Sequence, residues 1–312
     1  MLPDSHAMIP VITIVTATFN RRDTLERALA SAARQGADGV QHVVIDAGST
    51  DGSLDLLAKH RNLDVTSEPD KNLYDGWNKG IARARGEWIC ILNSDDELED
   101  GAFDAVRRLA IAHPDADMIS GPVKITRFGG TPRQQSVIID DPRMLSLRPQ
   151  DIGPGVPLTN GRFIKRALIE RIGPFDIRYP VISDRQFFLR AMASGARNTV
   201  ASKALYNYHV HDTSLTFNDA APSMDQALEC LRASIDGLAE SRDANLKAAY
   251  RSWHCWSAFY ASWLNLRQRH FADAAKTMLA GIARDPQLPF KLAPQLIRHL
   301  SERSARLGHP VS

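Results

Sequence analysis

Residues 67–98 read SEPDKNLYDGWNKGIARARGEWICILNSDDEL. A polar, aspartate-studded loop and its helix run into an apolar stretch, Trp88, Ile89, Cys90, Ile91 and Leu92, which stops just before Asp95 and Asp96. A short continuous apolar run between polar segments is the pattern of a strand buried on both faces of a parallel sheet. In open parallel sheets ligands bind beyond the carboxyl ends of the strands, where loops and helix N-termini converge. Adjacent carboxylates repel one another, and a buried carboxylate without a partner is unfavourable. A hard divalent cation between protein and phosphate oxygens would relieve both problems. The other reading of the same residues is a helix cap, with Glu97, Glu99 and Asp100 suiting the positive end of the next helix.

Upstream, hydrophobic periods of two and 3.6 alternate, as they do where crossover helices separate parallel strands. VITIVTA (11–17), HVVID (42–46), LDVTS (63–67) and EWICIL (87–92) read as strands. Leu25, Ala28, Leu29 and Ala32 form one helical face, and Ser49 or Thr50 would cap a helix carrying Leu54, Leu57 and Ala58. A helix over about 74–84 precedes the fourth strand, and one with Phe103, Val106 and Leu109 leads to DMISGPVKI. The strand ends TATFN, IDAGSTDGS and NSDD should therefore lie side by side. Beyond Gly121, VKITRFGGTPRQQSVII reads as two strands around a Gly-Gly turn, so the regular winding gives way to a mixed region. From about Ala221 helix formers dominate. Trp253, Trp256, Tyr260 and Trp263 fall on one helical stripe, beside a helix with Ala275, Met278, Leu279 and Ile282.

Bulk properties narrow the choice. In 312 residues, 38 basic and 36 acidic side chains give a net charge of +2, no field for holding a polyanion, so nucleic acid is not an expected partner. The three cysteines, Cys90, Cys230 and Cys255, lack disulfide or zinc spacing and fit a reducing cytoplasm. Neither a signal peptide nor a run of 18 apolar residues is seen, so no membrane-spanning helix is expected.

The runs ITIVTATFNRRDTLERALASAARQ (12–35), VVIDAGSTDGS (43–53), SEPDKNLYDGWNKGIARARGEW (67–88) and LNSDDEL (92–98) together resemble a bacterial family 2 glycosyltransferase. IGPFDIRYPVISDRQFFLRA (172–191) and YHVHDTSLT (208–216) extend the resemblance more weakly, to about residues 10–217. It implies an α/β fold of the GT-A type, a Rossmann-like nucleotide-diphospho-sugar transferase domain over 10–220. Residues 1–9 would be a flexible N-terminus and 221–312 a helical appendage.

The same resemblance implies a donor pocket formed by Thr16, Ala17, Thr18, Asn20, Asp46, Asp70, Asp75, Lys79, Asn93 and Asp95, holding a nucleotide-diphosphate sugar of UDP or GDP type. Asp96 would be the principal ligand of Mn2+ or Mg2+, and Asp95 would take the ribose hydroxyls or stand behind the metal ligand. His211 would reach the same cation, with His209 on its face of the strand. Asn93 stands where many members have aspartate. Ala47 replaces a second acid that in relatives contacts the nucleotide base, which leaves the donor base open. Lys79 suits a phosphate, or is simply solvated, and Trp77 and Asn78 serve packing and helix capping.

Sugar transfer with inversion needs a group to accept the acceptor's hydroxyl proton. The resemblance places that base at Asp184, where the alternative is an N-cap, a role Ser183 fills equally well. Asp176 ties its own turn. The activity implied is transfer to a saccharide or lipid-linked acceptor in surface polysaccharide synthesis. The alternative is an inactive nucleotide-sugar or carbohydrate-binding protein of the same fold. A nucleotidylyltransferase is disfavoured because TATFNRRD has no glycine. In the tail, Lys291, Arg298, Arg303 and Arg306 accompany a stripe of Leu292, Leu296, Leu300 and Leu307, which suits peripheral contact with the inner face of the plasma membrane or a homodimer through the C-terminal helices.

Overall fold

Four apolar runs become four neighbouring strands in the computed structural model, which describes residues 12–127, 135–140, 145, 159–210 and 224–284. They are β1 (Ile12–Thr18), β2 (Val40–Asp46), β3 (Leu63–Ser67) and β4 (Trp88–Ile91). The connecting helices are α1 (Arg22–Ala33), α2 (Ser53–Leu57) and α3 (Leu73–Ala82). Strands β4, β1, β2 and β3 lie side by side in that order, all parallel, because each crossover helix brings its strand back beside an earlier one. All four residues of β4 are buried, in keeping with a strand covered on both faces.

After β5 (Glu97–Leu98) come α4 (Ala102–Ala112), β6 (Met118–Ser120), β7 (Val123–Arg127), β8 (Gln135–Ile139) and β9 (Arg162–Lys165). The first unit continues with α5 (Arg166–Ile172), α6 (Ser183–Ala193), β10 (Asn198–Val200) and β11 (Tyr206–Val210). Here the winding changes. Among the described residues the main sheet has seven strands in the order β10-β6-β9-β4-β1-β2-β3, and β9 runs antiparallel to both β4 and β6. β9 carries no periodic signal: it is four residues long and opens on a buried arginine. A second sheet, β5-β11-β7-β8, contains the antiparallel β7–β8 pair expected from the sequence, although the Gly-Gly turn itself lies outside the described residues.

Two local expectations are corrected. Neither Ser49 nor Thr50 caps α2: its N-cap position is Gly52 at φ 91°, and Asp51 accepts from the Ser53 backbone N–H instead. Asn78 is no cap either, since Asn72 caps α3 by accepting from Asp75 N at 3.1 Å. Asn78 instead bonds both backbone groups of Phe175. Helix α3 carries Gly76 and Gly80 one turn apart, although each is about 1 kcal/mol worse in a helix than alanine. The reason is packing: a Cβ on Gly76 would meet Asp70 and Ala17, and one on Gly80 would collide with Val15.

The chain divides into two compact units, Met1–Pro222 and Ser223–Ser312. The second contains α7 (Met224–Glu240), α8 (Ala244–Arg267) and α9 (Phe271–Arg284), with α8 packed against both others. Its aromatics do not form a single stripe. Trp256 and Phe259 join Cys255, Met278 and Ile282 on the α9 side, whereas Tyr260 and Trp263 join Ala227 and Leu264 on the α7 side. On α9 the inward face is Ala274, Met278, Gly281 and Ile282; Ala275 and Leu279 are exposed. No helix of the described residues is long and apolar enough to cross a membrane. The basic, leucine-striped stretch 291–307 lies outside the described residues, as do residues 1–9.

Candidate active site

The parallel register brings the ends of β1, β2 and β3 level, pairing Thr18 with Asp46 and Asp46 with Ser67. The loops beyond are tied to each other. Asn20, at φ 51°, donates from its backbone N–H to Ser49 Oγ at 2.8 Å and accepts from Thr50 N at 2.9 Å. Asparagine tolerates this left-handed conformation better than most residues. Asp46 is buried, and its Oδ2 accepts from Gly48 N, Ser49 N and Ser67 Oγ at 3.0, 3.0 and 2.7 Å. Among the described residues its Oδ1 has no hydrogen-bond partner, and the same holds for Thr18 Oγ1 and Asn93 Oδ1, both buried atoms. More than about 90% of buried polar groups in folded proteins are paired. Such atoms occur elsewhere too, at Trp77, Trp88 and His254, but these three fall together on adjoining strand ends, a place suited to a polar ligand.

Thr16 and Ala17 do not reach that rim. Thr16 lies within β1 with its hydroxyl 3.0 Å from His42 Nε2, and Ala17 is buried where Gly76 of α3 approaches. Burial lowers the His42 pKa to about 4, with a smaller contribution from His60, so the ring is neutral. Phe19, by contrast, is 56% exposed at the end of β1, an aromatic face that no sequence pattern singled out.

On the loop and helix before β4, Lys79 Nζ lies 2.7 Å from Asp70 Oδ1, 3.1 Å from Glu68 and 3.7 Å from Asp75. Burial works to lower the Lys79 pKa, but the bonds from Asp70 and Glu68 outweigh it and hold it above the usual lysine range. Burial raises Asp70 above the usual carboxylate range, opposed by Lys79. Lys79 is therefore no solvated lysine: it is the centre of an acidic cluster at the start of α3.

The Asp95–Asp96 turn does not cap the next helix. Glu97 and Leu98 form β5, and α4 begins only after Gly101, at φ 69°, without a side-chain cap. The turn is bound to β11 instead. Asp96 is almost wholly buried; its Oδ1 accepts from His209 N at 2.9 Å, and its Oδ2 accepts from Tyr206 OH at 2.9 Å, Asn93 Nδ2 at 3.0 Å and Asn160 Nδ2 at 3.3 Å. Tyr206 OH also accepts from Asn93 N. Loss of hydration and the neighbouring Asp95 carboxylate push Asp96 up to about 8, against the pull of these donors. Arg27 of α1 donates to the Asp95 carbonyl at 2.7 Å. The His209 ring is engaged with Glu97, its Nε2 at 2.7 Å, and His211 lies outside the described residues.

For a divalent cation this turn offers hard oxygen donors in Asp95 and Asn93 Oδ1, whereas Asp96, which accepts four hydrogen bonds, would have to exchange one of them for the ion; an all-oxygen set of this kind suits Mg2+ or Mn2+. Among the described residues no group of three or more His, Cys, Asp or Glu could hold a metal; water or phosphate oxygens would complete the coordination of an ion here.

Asp184 is in the first turn of α6 but caps nothing, and neither does Ser183. Its Oδ1 accepts from Arg185 N at 2.8 Å and lies 3.1 Å from Tyr74 OH of α3. Burial raises its pKa, partly offset by Arg185 and Tyr74. Asp176 ties its own turn, accepting from the backbone and guanidinium of Arg178.

The family model described as Glycosyl transferase family 2 matches residues 13–173, more than half of the chain and all four adjoining strands. The chain belongs to glycosyl transferase family 2. This family member is similar over its whole length to the succinoglycan biosynthesis protein ExoO of Rhizobium meliloti (strain 1021), at 28% identity and covering 92% of that protein. It is 30% identical to a PGL/p-HBAD biosynthesis glycosyltransferase of Mycobacterium bovis (strain BCG / Pasteur 1173P2), over 60% of this chain and 72% of that one. Among solved structures it resembles S. aureus TarS 1-349 in complex with UDP-GlcNAc, with a TM-score of 0.63 at 16% identity over 89% of this chain and 81% of that one. The mannosyltransferase PcManGT from Pyrobaculum calidifontis in complex with GDP-Man and Mn2+ gives 0.58 at 18% identity, over 94% and 81%. The fold is GT-A, as the sequence implied.

Proposed function

We propose that this chain is an active, inverting, metal-dependent glycosyltransferase that takes its sugar from a nucleotide-diphosphate donor. The observation that carries the reading is the row of unpartnered polar atoms, Thr18 Oγ1, Asp46 Oδ1 and Asn93 Oδ1, beside the Asp95–Asp96 turn. Asp46 Oδ1 and Thr18 Oγ1 would meet the nucleoside, with Phe19 as a stacking surface for its base. Asp95 would take the ribose, while Asp70, Asp75 and Lys79 would line the sugar-diphosphate side. Asp96 and Asn93 would hold Mn2+ or Mg2+, which when bound screens the charge of the departing diphosphate.

Asp184 would act as base. Its half-buried carboxylate takes the proton from the acceptor hydroxyl while that oxygen bonds to the anomeric carbon and the bond to the diphosphate oxygen breaks. A single displacement inverts the anomeric centre. A carboxylate raised by burial keeps more proton affinity than one in water, which suits the task. The donor is of UDP or GDP type, supported by the nucleotide-sugars named in the TarS and PcManGT complexes. The full-length match to a succinoglycan biosynthesis protein supports a saccharide or lipid-linked acceptor in bacterial polysaccharide synthesis. In this reading residues 10–220 are the catalytic domain, working in the cytoplasm. The C-terminal helical region then supplies membrane-surface contact or a homodimer.

The test is a pair of substitutions. Asp96→Ala should abolish metal-dependent nucleotide binding, whereas Asp184→Asn should leave nucleotide binding intact and remove transfer. Transfer by Asp184→Asn at the wild-type rate would refute the base assignment.

A further inference from the structure

The segment that carries Asp184 is stitched along its length to α3, the helix that carries Asp75 and Lys79. Asn72 Nδ2 donates to Ile177 O at 2.9 Å, Asn78 Nδ2 donates to Phe175 O at 2.7 Å, and Phe175 N donates back to Asn78 Oδ1 at 3.0 Å. Tyr74 and Trp77 pack on Phe175 with ring centroids 5.8 and 5.3 Å apart, and Phe175 stacks on Phe187 of α6 at 4.5 Å. At the end of this seam the Tyr74 hydroxyl lies 3.0 Å from Val181 O and 3.1 Å from Asp184 Oδ1. A phenol has one proton to donate and here has two acceptors. A hydrogen bond to a charged carboxylate is roughly twice as strong as one to a neutral carbonyl, so the phenol turns to Asp184 when that group is ionised.

We propose that Tyr74 is a positioning residue for the base: its phenol fixes the Asp184 carboxylate relative to the donor-side helix and swings to the Val181 carbonyl as Asp184 takes up the acceptor's proton. The inference rests on the reading of Asp184 as base. It makes the acceptor side register on the donor side through one buried hydroxyl. The charged or titratable groups that face Asp184 among the described residues are Tyr74 from α3 and Arg185 on its own helix. Without the phenol, the carboxylate keeps the backbone N–H groups of Arg185 and of Asp184 itself but loses its side-chain donor, so the ionised form is less favoured and Asp184 titrates at higher pH.

Tyr74→Phe keeps the ring and its packing. The expected result is an unchanged KM for donor and an acid limb of kcat moved to higher pH. On that limb a shift of about one unit reads as roughly a tenfold loss of rate. Rate is followed as nucleoside diphosphate released from the nucleotide-sugar whose nucleotide the chain binds. A second readout needs no turnover: the carboxyl resonance of 13C-labelled aspartate, assigned with Asp184→Asn, should move its midpoint upward in Tyr74→Phe. Asn78→Ala, which opens the seam without touching the phenol, should lower Tm and leave the acid limb in place. A wild-type limb and an unmoved resonance in Tyr74→Phe would overturn the inference. Should Asp184→Asn still transfer, the base reading itself fails, an outcome distinct from a silent Tyr74→Phe.

Discussion

Gly76 and Gly80 lie on the same face of α3, one over the site and one over the sheet, and adding a methyl to each separates site from scaffold. At Gly80 the new Cβ would approach Val15 Cγ1 to less than 3.0 Å, and Val15 is a buried β-branched side chain with little rotamer freedom. Overpacking of this kind costs typically about 1–3 kcal/mol, and alanine returns about 1 kcal/mol of helix propensity. A net loss near the upper end, about 2 kcal/mol, lowers Tm by roughly 4–8 °C for a unit of this size. At Gly76 the Cβ would fall 2.6 Å from Asp70 Oδ2 and 3.0 Å from Ala17 Cβ. The carboxylate must retreat by about 0.8 Å to regain an ordinary contact, which pulls it from Lys79, 2.7 Å away. Loosening that pair costs folding stability on the scale of Gly80→Ala, and where the pair also contacts the donor, one lost hydrogen bond to a charged group, about 1.5–3 kcal/mol, lowers nucleotide-sugar affinity roughly 10- to 100-fold, a loss that Gly80→Ala does not share. Differential scanning fluorimetry and calorimetric titration read the two axes. Gly76→Ala with affinity within twofold of wild type, and Tm lowered as in Gly80→Ala, would show that the Asp70–Lys79 pair is no part of the donor site.

Tyr206→Phe removes one of four donors from Asp96 and leaves Asn93 N without its acceptor; metal-dependent nucleotide affinity should fall about tenfold while binding without Mn2+ stays unchanged, as titration with and without the ion will show. Acid should destabilise the first unit through His42. Its folded pKa of about 4 lies below the unfolded value of about 6.5, so only the unfolded chain takes the proton between them, and stability falls as pH drops through that window by at most about 3 kcal/mol. Raised carboxylates such as Asp96 and Asp184 act in the opposite sense. The difference between wild type and His42→Gln isolates the histidine, and identical Tm profiles from pH 7 to 4 would contradict its neutral burial.

Much of the site was legible because its residues are local to strand ends. LDVTS is β3 residue for residue, and the apolar run into Asp95 and Asp96 announced both β4 and the turn beyond it. What stayed hidden depends on distant pairing. Tyr206 and Asp96 are 110 residues apart, as are Tyr74 and Asp184, and no spacing rule connects them. β9 was invisible because four residues carry too little period, and its place between β4 and β6 is set by the sheet. The aromatic stripe of α8 divided because a helix packed on two sides needs two faces, which a single-face pattern does not convey. Thr16 matched a strand-end motif, yet the strand continues two residues past it, so its hydroxyl serves the core.

The central claim is that the ends of β1, β2 and β4 bind a nucleoside diphosphate through a cation held at Asp96. Titration calorimetry of UDP, GDP, dTDP and CMP, each with and without Mn2+, against wild type and Asp96→Ala tests it most directly. The account predicts one diphosphate that binds wild type far more tightly with Mn2+ and loses that gain in Asp96→Ala. Nucleotide binding that Mn2+ leaves unaltered, or that survives Asp96→Ala undiminished, would contradict it.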